Sequence, residues 1–483
     1  MIPETYIHSL EQLLPELKEK LDPSVALLPK NSLYPEIPEG ELKDQLSHLM
    51  EKLEDHYPFH HPLYAGQMLK PPHPVAWLAY ALAMTINPNN HALDGGPGAS
   101  VLEKEVIQEF LRFTGYPQTG LGHLTASGTI ANLEALWVAR ELHPDKPIAI
   151  SGLAHYTHQR MCSLLRHPTI SVPEKEDGLP DLSLLSKQEM LPGTIVVTLG
   201  TTGNGTLEPL HEICDWAEEY GVRVHVDAAY GGFYHLLSET GWIDSEPWAD
   251  LPRTDSIVID PHKHGLQPYG CGCVLFKDPA IGTFYKHDSP YTYFTSDELH
   301  LGEISIECSR AGASAVALWM TLKCFPLERI PGPALEGPIT AQRMKTSFND
   351  TTREGSLYRF GSLLGKCRLA AMTLFEGLNA SADFEPVIRP DLDIVTFIPV
   401  TEDKTYSMVS LRTREILHKG MQSKDNRLYM STLNVHKKQA EKWCPGLKAD
   451  RDSVDVLRMV LMKPEHDAFA GELLHRLEGL AKS

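Results

Sequence analysis

The chain has 483 residues, 42% of them hydrophobic and 22% charged, and a formal net charge of −19. That is the balance of an ordinary globular protein too long for one core, so two or three packed units are expected. No lysine or arginine run offsets the acidic surplus, which argues against a nucleic-acid or anionic-membrane partner, and no apolar run reaches the roughly 18 residues of a membrane span.

The start, "MIPETYIHSLEQLLPELKEK", lacks a basic stretch followed by an apolar one, so a cytoplasmic location is expected. Residues 1–90 read as helices separated by proline-rich loops: "SLEQLLPELKEKL" and "EGELKDQLSHLMEKLEDHY" repeat apolar positions at three and four, and "HPLYAGQMLKPPHPVAWLAYALAMTI" is a loop feeding an apolar helix. From 91 to 345 the pattern changes. Short β-branched runs, "PIAIS", "TIVVTLG", "VRVHVD", "SIVID" and "GCVLF", alternate with amphipathic stretches such as "LEPLHEICDWAEEYG". Apolar strands joined by helices predict an α/β unit with a parallel or mixed sheet covered on both faces. After the breaker-rich "FPLERIPGPALEGPIT", residues 346–483 combine a long helix, the runs "DIVTFIPV", "RLYMSTLNV" and "VLRMVLMKP", and a terminal helix, which predicts a smaller α+β unit. Of the eight cysteines, Cys271 and Cys273 stand one residue apart, a spacing that suits neither a metal knuckle nor a redox motif; buried thiols are expected.

Ligands of open α/β sheets bind beyond the carboxyl ends of the strands, so the residues closing each strand are the candidates. "LTASGTIANLEALWVAR" puts Ser127, Gly128 and Thr129 at the start of a helix, either as a phosphate cradle or simply as an N-cap. His155 follows "PIAIS" and reads alone as a structural histidine. Asp227 closes "VRVHVD" before small residues and reads alone as a helix cap. Lys263 lies just beyond "SIVID", between His262 and His264, and reads alone as a lysine reaching back to water. Taken together, a cradle, a flat histidine, a carboxylate and an amine at successive strand ends are explained by one ligand, pyridoxal 5′-phosphate. The amine forms a Schiff base, the carboxylate keeps the pyridine nitrogen protonated, and the protonated ring accepts electrons from a carbanion.

In this order and spacing, "SGTIANL", "HVDAAYGG" and "DPHKHG" resemble the group II pyridoxal-phosphate decarboxylases of fold type I, among them the glutamate, aromatic amino acid, tyrosine and aspartate decarboxylases. "HHPLYAGQM", "GGPGASVLEKEVIQEFL", "GTTGNGTLEPLHEI", "SIECSRAGASAVALW" and "VLRMVLMKP" extend the resemblance over nearly the whole chain. It implies a large domain with a mostly parallel seven-stranded sheet, a small C-terminal α+β domain and an N-terminal helical segment. Lys263 is then the Schiff-base lysine, Asp227 the pyridine-nitrogen partner and His155 the stacking ring. Ser127, Gly128, Thr129, Thr202 and His262 lie near the phosphate, and Ala229 against the ring. Arg458 matches the arginine that receives the substrate α-carboxylate, although on the residues alone a surface strand arginine is an equal reading. His61 and Gln67 become substrate contacts, and Tyr291 or Tyr293 the proton donor on a loop. No metal is implied.

The implied reaction is decarboxylation of an L-amino acid, aromatic or acidic, through an external aldimine and a quinonoid, in a homodimer whose active site lies at the interface. A carbon-carbon lyase resembling sphingosine-phosphate lyase is the alternative, and a catalytically empty scaffold a third. The chain departs from the family pattern at Arg160, where lysine is frequent, at His264, where tryptophan is common, and at Gly98, where alanine is usual.

Overall fold

The structure, a computed structural model, describes residues 2–21, 37–91, 96–175, 178–286, 305–331, 338–352 and 359–482. Its larger sheet has seven strands: β1 (Leu121–Thr125), β2 (Ile148–Ile150), β3 (Thr169–Ser171), β4 (Thr194–Thr198), β5 (Arg223–Asp227), β6 (Ser256–Ile259) and β7 (Gly272–Phe276). Their spatial order is β1-β7-β6-β5-β4-β2-β3, and β7 runs antiparallel to both its neighbours while the rest are parallel. Every position of β2, β4, β6 and β7 is buried, because helices cover both faces; this is why these strands read as unbroken apolar runs.

Three strands lay outside the patterned runs. β1, "LGHLT", carries Gly122 because a Cβ there would lie 2.7 Å from Leu275 and 2.8 Å from the Val274 carbonyl. Its His123 is buried against Glu134 at 3.0 Å. β3 is a three-residue edge strand with exposed ends, and a fourth strand of the second sheet, β8 (Phe384–Pro386), is equally short.

The second sheet also contains β9 (Ile394–Pro399), β10 (Ser431–His436) and β11 (Ser453–Val460), in the antiparallel order β10-β11-β9-β8. The helices Phe360–Ala380 and His466–Lys482 pack together against it, with Leu374, Leu378, Phe397, Leu457, Leu473 and Leu477 in their shared core. Arg368, fully buried on the first of these helices, ties the two sheets by donating to the carbonyls of Leu392 at 2.9 Å and Trp242 at 3.2 Å.

N-terminal to both lie the helices Glu4–Leu21, Glu39–Leu53 and Pro74–Met84, as the periodicity predicts. Glu39–Leu53 buries no residue, and its Leu42, Leu46, Leu49 and Leu53 face outward on one stripe. Cys271 and Cys273 are buried, and burial raises both thiols above their usual range. Among the described residues no helix is long and apolar enough to cross a membrane.

Candidate active site

The parallel strands end on one side of the large sheet, and there Ser127, Gly128, Thr129, His155, Thr202, Asp227, Ala229, His262 and Lys263 all line a single cavity of about 210 Å³. The convergence follows from the topology. β1, β2, β4, β5 and β6 each deliver the residues just past their carboxyl ends to the same rim.

Two glycines make the cradle possible. Ser127 caps the helix Gly128–Leu142, its hydroxyl accepting from Ile130 N–H at 3.3 Å. A Cβ on Gly272, at the start of β7, would lie 2.6 Å from the Ser127 carbonyl carbon, so that strand must be bare where it passes the turn. A Cβ on Gly128 would lie 2.4 Å from the Asp260 carboxylate. Asp260 also lines the cavity and was not singled out in the sequence, although it stands three residues before Lys263. Its Oδ2 lies 3.2 Å from Lys263 Nζ, while its Oδ1 is buried with no hydrogen-bond partner among the described residues. The lysine side chain is 23% exposed, so its amine is open to the cavity.

Asp227 is held at both oxygens: Ala229 N–H donates to Oδ1 at 3.1 Å, and His158 Nε2 lies 2.8 Å from Oδ2. Burial pushes this carboxyl up, but the hydrogen bond and charge of His158, with Lys263 and Ala229, outweigh it and hold the carboxyl well below its usual range. His155 is half-buried, and burial foremost lowers its pKa. Its Nδ1 meets Thr157 Oγ1 at 2.7 Å and accepts from Thr157 N–H at 3.4 Å, which leaves the neutral ring protonated at Nε2. His262 packs its ring on Tyr269 at 4.8 Å, with Nδ1 2.6 Å from the Cys271 carbonyl.

Arg458 is no surface arginine. It is 7% exposed on β11 and donates to the carbonyls of Thr202 at 2.7 Å, Gly203 at 2.8 Å and Gly66 at 3.2 Å, and to Ser431 Oγ at 3.1 Å. It therefore clamps the turn that presents Thr202 to the cavity. Gln67, one residue beyond Gly66, is exposed, and His61 accepts from Leu63 N–H at 3.1 Å and turns its ring toward Phe469; neither lines the cavity. Tyr291 and Tyr293 lie outside the described residues. His264 is fully buried 3.2 Å from Asp393 at the start of the small sheet, with its ring against Tyr230 and Tyr234.

An amine, two carboxylates, a neutral imidazole and a helix N-terminus with two hydroxyls thus surround one small space. The set fits a flat, phosphorylated, nitrogen-containing ring bearing a carbonyl: the cradle offers donors to an anion, Asp227 an acceptor to a ring N–H, and Lys263 a nucleophile.

Residues 34–330, more than half of the chain, match the model of the pyridoxal-dependent decarboxylase conserved domain. Among curated relatives, a probable L-tyrosine/L-aspartate decarboxylase of Methanopyrus kandleri is 29% identical over 53% of this chain and 68% of its own length. An aromatic-L-amino-acid decarboxylase of Bacillus atrophaeus is 28% identical over 81% of this chain and 80% of its own. Among solved structures, Catharanthus roseus tryptophan decarboxylase in complex with L-tryptophan superposes with a TM-score of 0.69 at 18% identity, covering 99% of both chains.

Proposed function

The chain belongs to the pyridoxal-dependent decarboxylase family, and from that premise we propose that its cavity releases carbon dioxide from an L-amino acid, leaving the corresponding amine. The observation that carries this reading is the meeting of Lys263, Asp227, His155 and the Ser127–Thr129 turn in one cavity beyond the ends of the parallel strands.

When bound, pyridoxal 5′-phosphate supplies an aldehyde that condenses with amines and a ring that accepts the electron pair left by departing carbon dioxide. Lys263 is the covalent anchor, and Asp260, 3.2 Å from its Nζ, orients the amine. Asp227, kept ionised by its neighbours, would accept a hydrogen bond from the protonated ring nitrogen and keep the proton there. His155, which lines the cavity as a flat imidazole, would stack on the ring of the bound group. Ser127, Gly128, Thr129, Thr202 and His262 take the phosphate, and Ala229 leaves room for the ring. Arg458 would receive the substrate α-carboxylate by sharing the donors that hold the Thr202 turn, and would thereby orient the bond to be broken. One of Tyr291 and Tyr293 returns a proton to the α-carbon. His61 and Gln67 are substrate contacts, and a second copy of the chain completes the site at a two-fold interface to which the N-terminal helices contribute.

The substrate is an aromatic or acidic amino acid, with the aromatic class preferred; the names of the Methanopyrus and Bacillus relatives support that range. The test is twofold. The parent, incubated with cofactor, should absorb in the visible and Lys263→Ala should not; a colourless parent would end the reading. Screening L-amino acids for carbon dioxide release then names the substrate. Release from none of them, with cleavage of a β-hydroxy or phosphorylated amine to an aldehyde, would make the protein a carbon-carbon lyase instead.

A further inference from the structure

His158 stands three residues past His155, in the first turn of the helix Thr157–Leu164. One short segment therefore carries both the imidazole that lines the cavity and a second imidazole that backs Asp227 from inside the protein. His158 is fully buried, and its Nε2 lies 2.8 Å from Asp227 Oδ2. Because an ionised carboxylate only accepts, Nε2 must carry the proton of this bond. Its Nδ1 is buried with no hydrogen-bond partner among the described residues, so among these Asp227 is the one side chain that satisfies the ring. The neighbouring imidazole does not compete for it: His225 has Nδ1 2.9 Å from Ser256 Oγ and Nε2 2.9 Å from Asn132 Oδ1. A buried polar ring at this position costs stability unless it serves a partner, and the partner here is the cavity's acceptor.

We propose that His158 is a positioning residue for Asp227: by donating to Oδ2 it fixes the plane and the charge of the carboxylate, and through it the protonation of the ring nitrogen that the cavity binds. The proposal rests on the assignment of Asp227 made above. A carboxylate held at one oxygen turns freely about its terminal torsion, whose rotamer well is broad. The second bond removes that freedom, and a donor to the ionised form also disfavours its protonation. A protonated Asp227 could not hold a proton on a ring nitrogen.

The test compares the parent with His158→Leu, which lacks the donor, His158→Gln, which keeps one, and Asp227→Ala. Each is titrated with pyridoxal 5′-phosphate, its unfolding is followed without cofactor, and the bound cofactor, labelled with nitrogen-15 in its ring, is examined by NMR. His158→Leu should fold, bind the cofactor about 10–100-fold more weakly, as expected for losing a donor to a charged group, and move the ring-nitrogen resonance toward its unprotonated position. His158→Gln should recover most of both. A folded His158→Leu protein with parental affinity and a parental resonance overturns the proposal. If Asp227→Ala weakens binding while His158→Leu does not, only this proposal falls; if Asp227→Ala also changes nothing, the assignment of Asp227 falls with it. Should His158→Leu not fold, the parent decides: without cofactor it must show a solvent-protected histidine Nε2–H that shifts when cofactor binds, and its absence refutes the role.

Discussion

Gly128→Ala tests the cradle at the point where two chain segments come closest. The added methyl would lie 2.4 and 2.5 Å from the two Asp260 oxygens and 2.8 Å from the carboxyl carbon. Restoring ordinary contact requires the carboxylate to retreat by roughly 1 Å. Asp260 is 2% exposed and holds Lys263 Nζ at 3.2 Å, so the retreat has little free space and breaks an ion pair facing the cavity. Overpacking of this kind costs about 1–3 kcal/mol. Asp260→Ala removes the obstacle and the ion pair together, so adding Gly128→Ala to it should cost almost nothing further. Urea unfolding of the cofactor-free parent, both single variants and the double variant closes the cycle, and a coupling of about 1 kcal/mol or more is expected. Visible absorbance after cofactor addition should be lost in step in Gly128→Ala. Additivity within about 0.5 kcal/mol would refute the claim that Gly128 is bare because Asp260 lies over it.

Two further outcomes follow from the surroundings of the site. Burial raises the Glu208 carboxyl from 4.5 to about 7, against the hydrogen bonds of Ser151 and Thr198. A raised folded value favours the protonated group, so its stabilisation is complete below about pH 4.5 and lost as pH climbs through 7. Glu208→Gln should therefore gain on the parent by about 3 kcal/mol above that pH and not in acid, as read from unfolding midpoints across pH; equal midpoints throughout would contradict it. Arg458→Met leaves the carbonyls of Thr202, Gly203 and Gly66 without their donor, at a cost of about 2–4 kcal/mol, and Arg458→Lys, with one nitrogen in place of a fork, should recover only part. A parental melting temperature for Arg458→Met would show that the clamp carries no load.

The five strands of the larger sheet legible in the sequence are those whose residues face protein on both sides, so that hydrophobicity alone marks them. β1 was hidden because its burial is satisfied pairwise, Gly122 by a close strand and His123 by Glu134, and neither residue carries an apolar signature. The residues that line the cavity were legible because the connectivity of an α/β sheet brings strand ends together whatever the loops do. Asp260 and His158 were not, since each matters through a partner remote in sequence, Gly128 for one and Asp227 for the other. The burial of Arg458 was equally invisible: it depends on β11 lying beside the turn of Thr202, a contact between segments 256 residues apart.

The stretch that matches the family model ends at residue 330, yet Asp393, Arg458 and Arg368 all lie beyond it. Asp393 lies 3.2 Å from the His264 ring, Arg458 braces the Thr202 turn, and Arg368 caps carbonyls on both sides of the junction. A gene fragment cut at that boundary would encode every residue proposed to grip the cofactor and still leave a buried histidine without its carboxylate and an active-site turn without its brace. The stretch that matches the family model is therefore shorter than the unit of folding, and expression of the larger sheet alone should yield insoluble chain rather than a minimal enzyme.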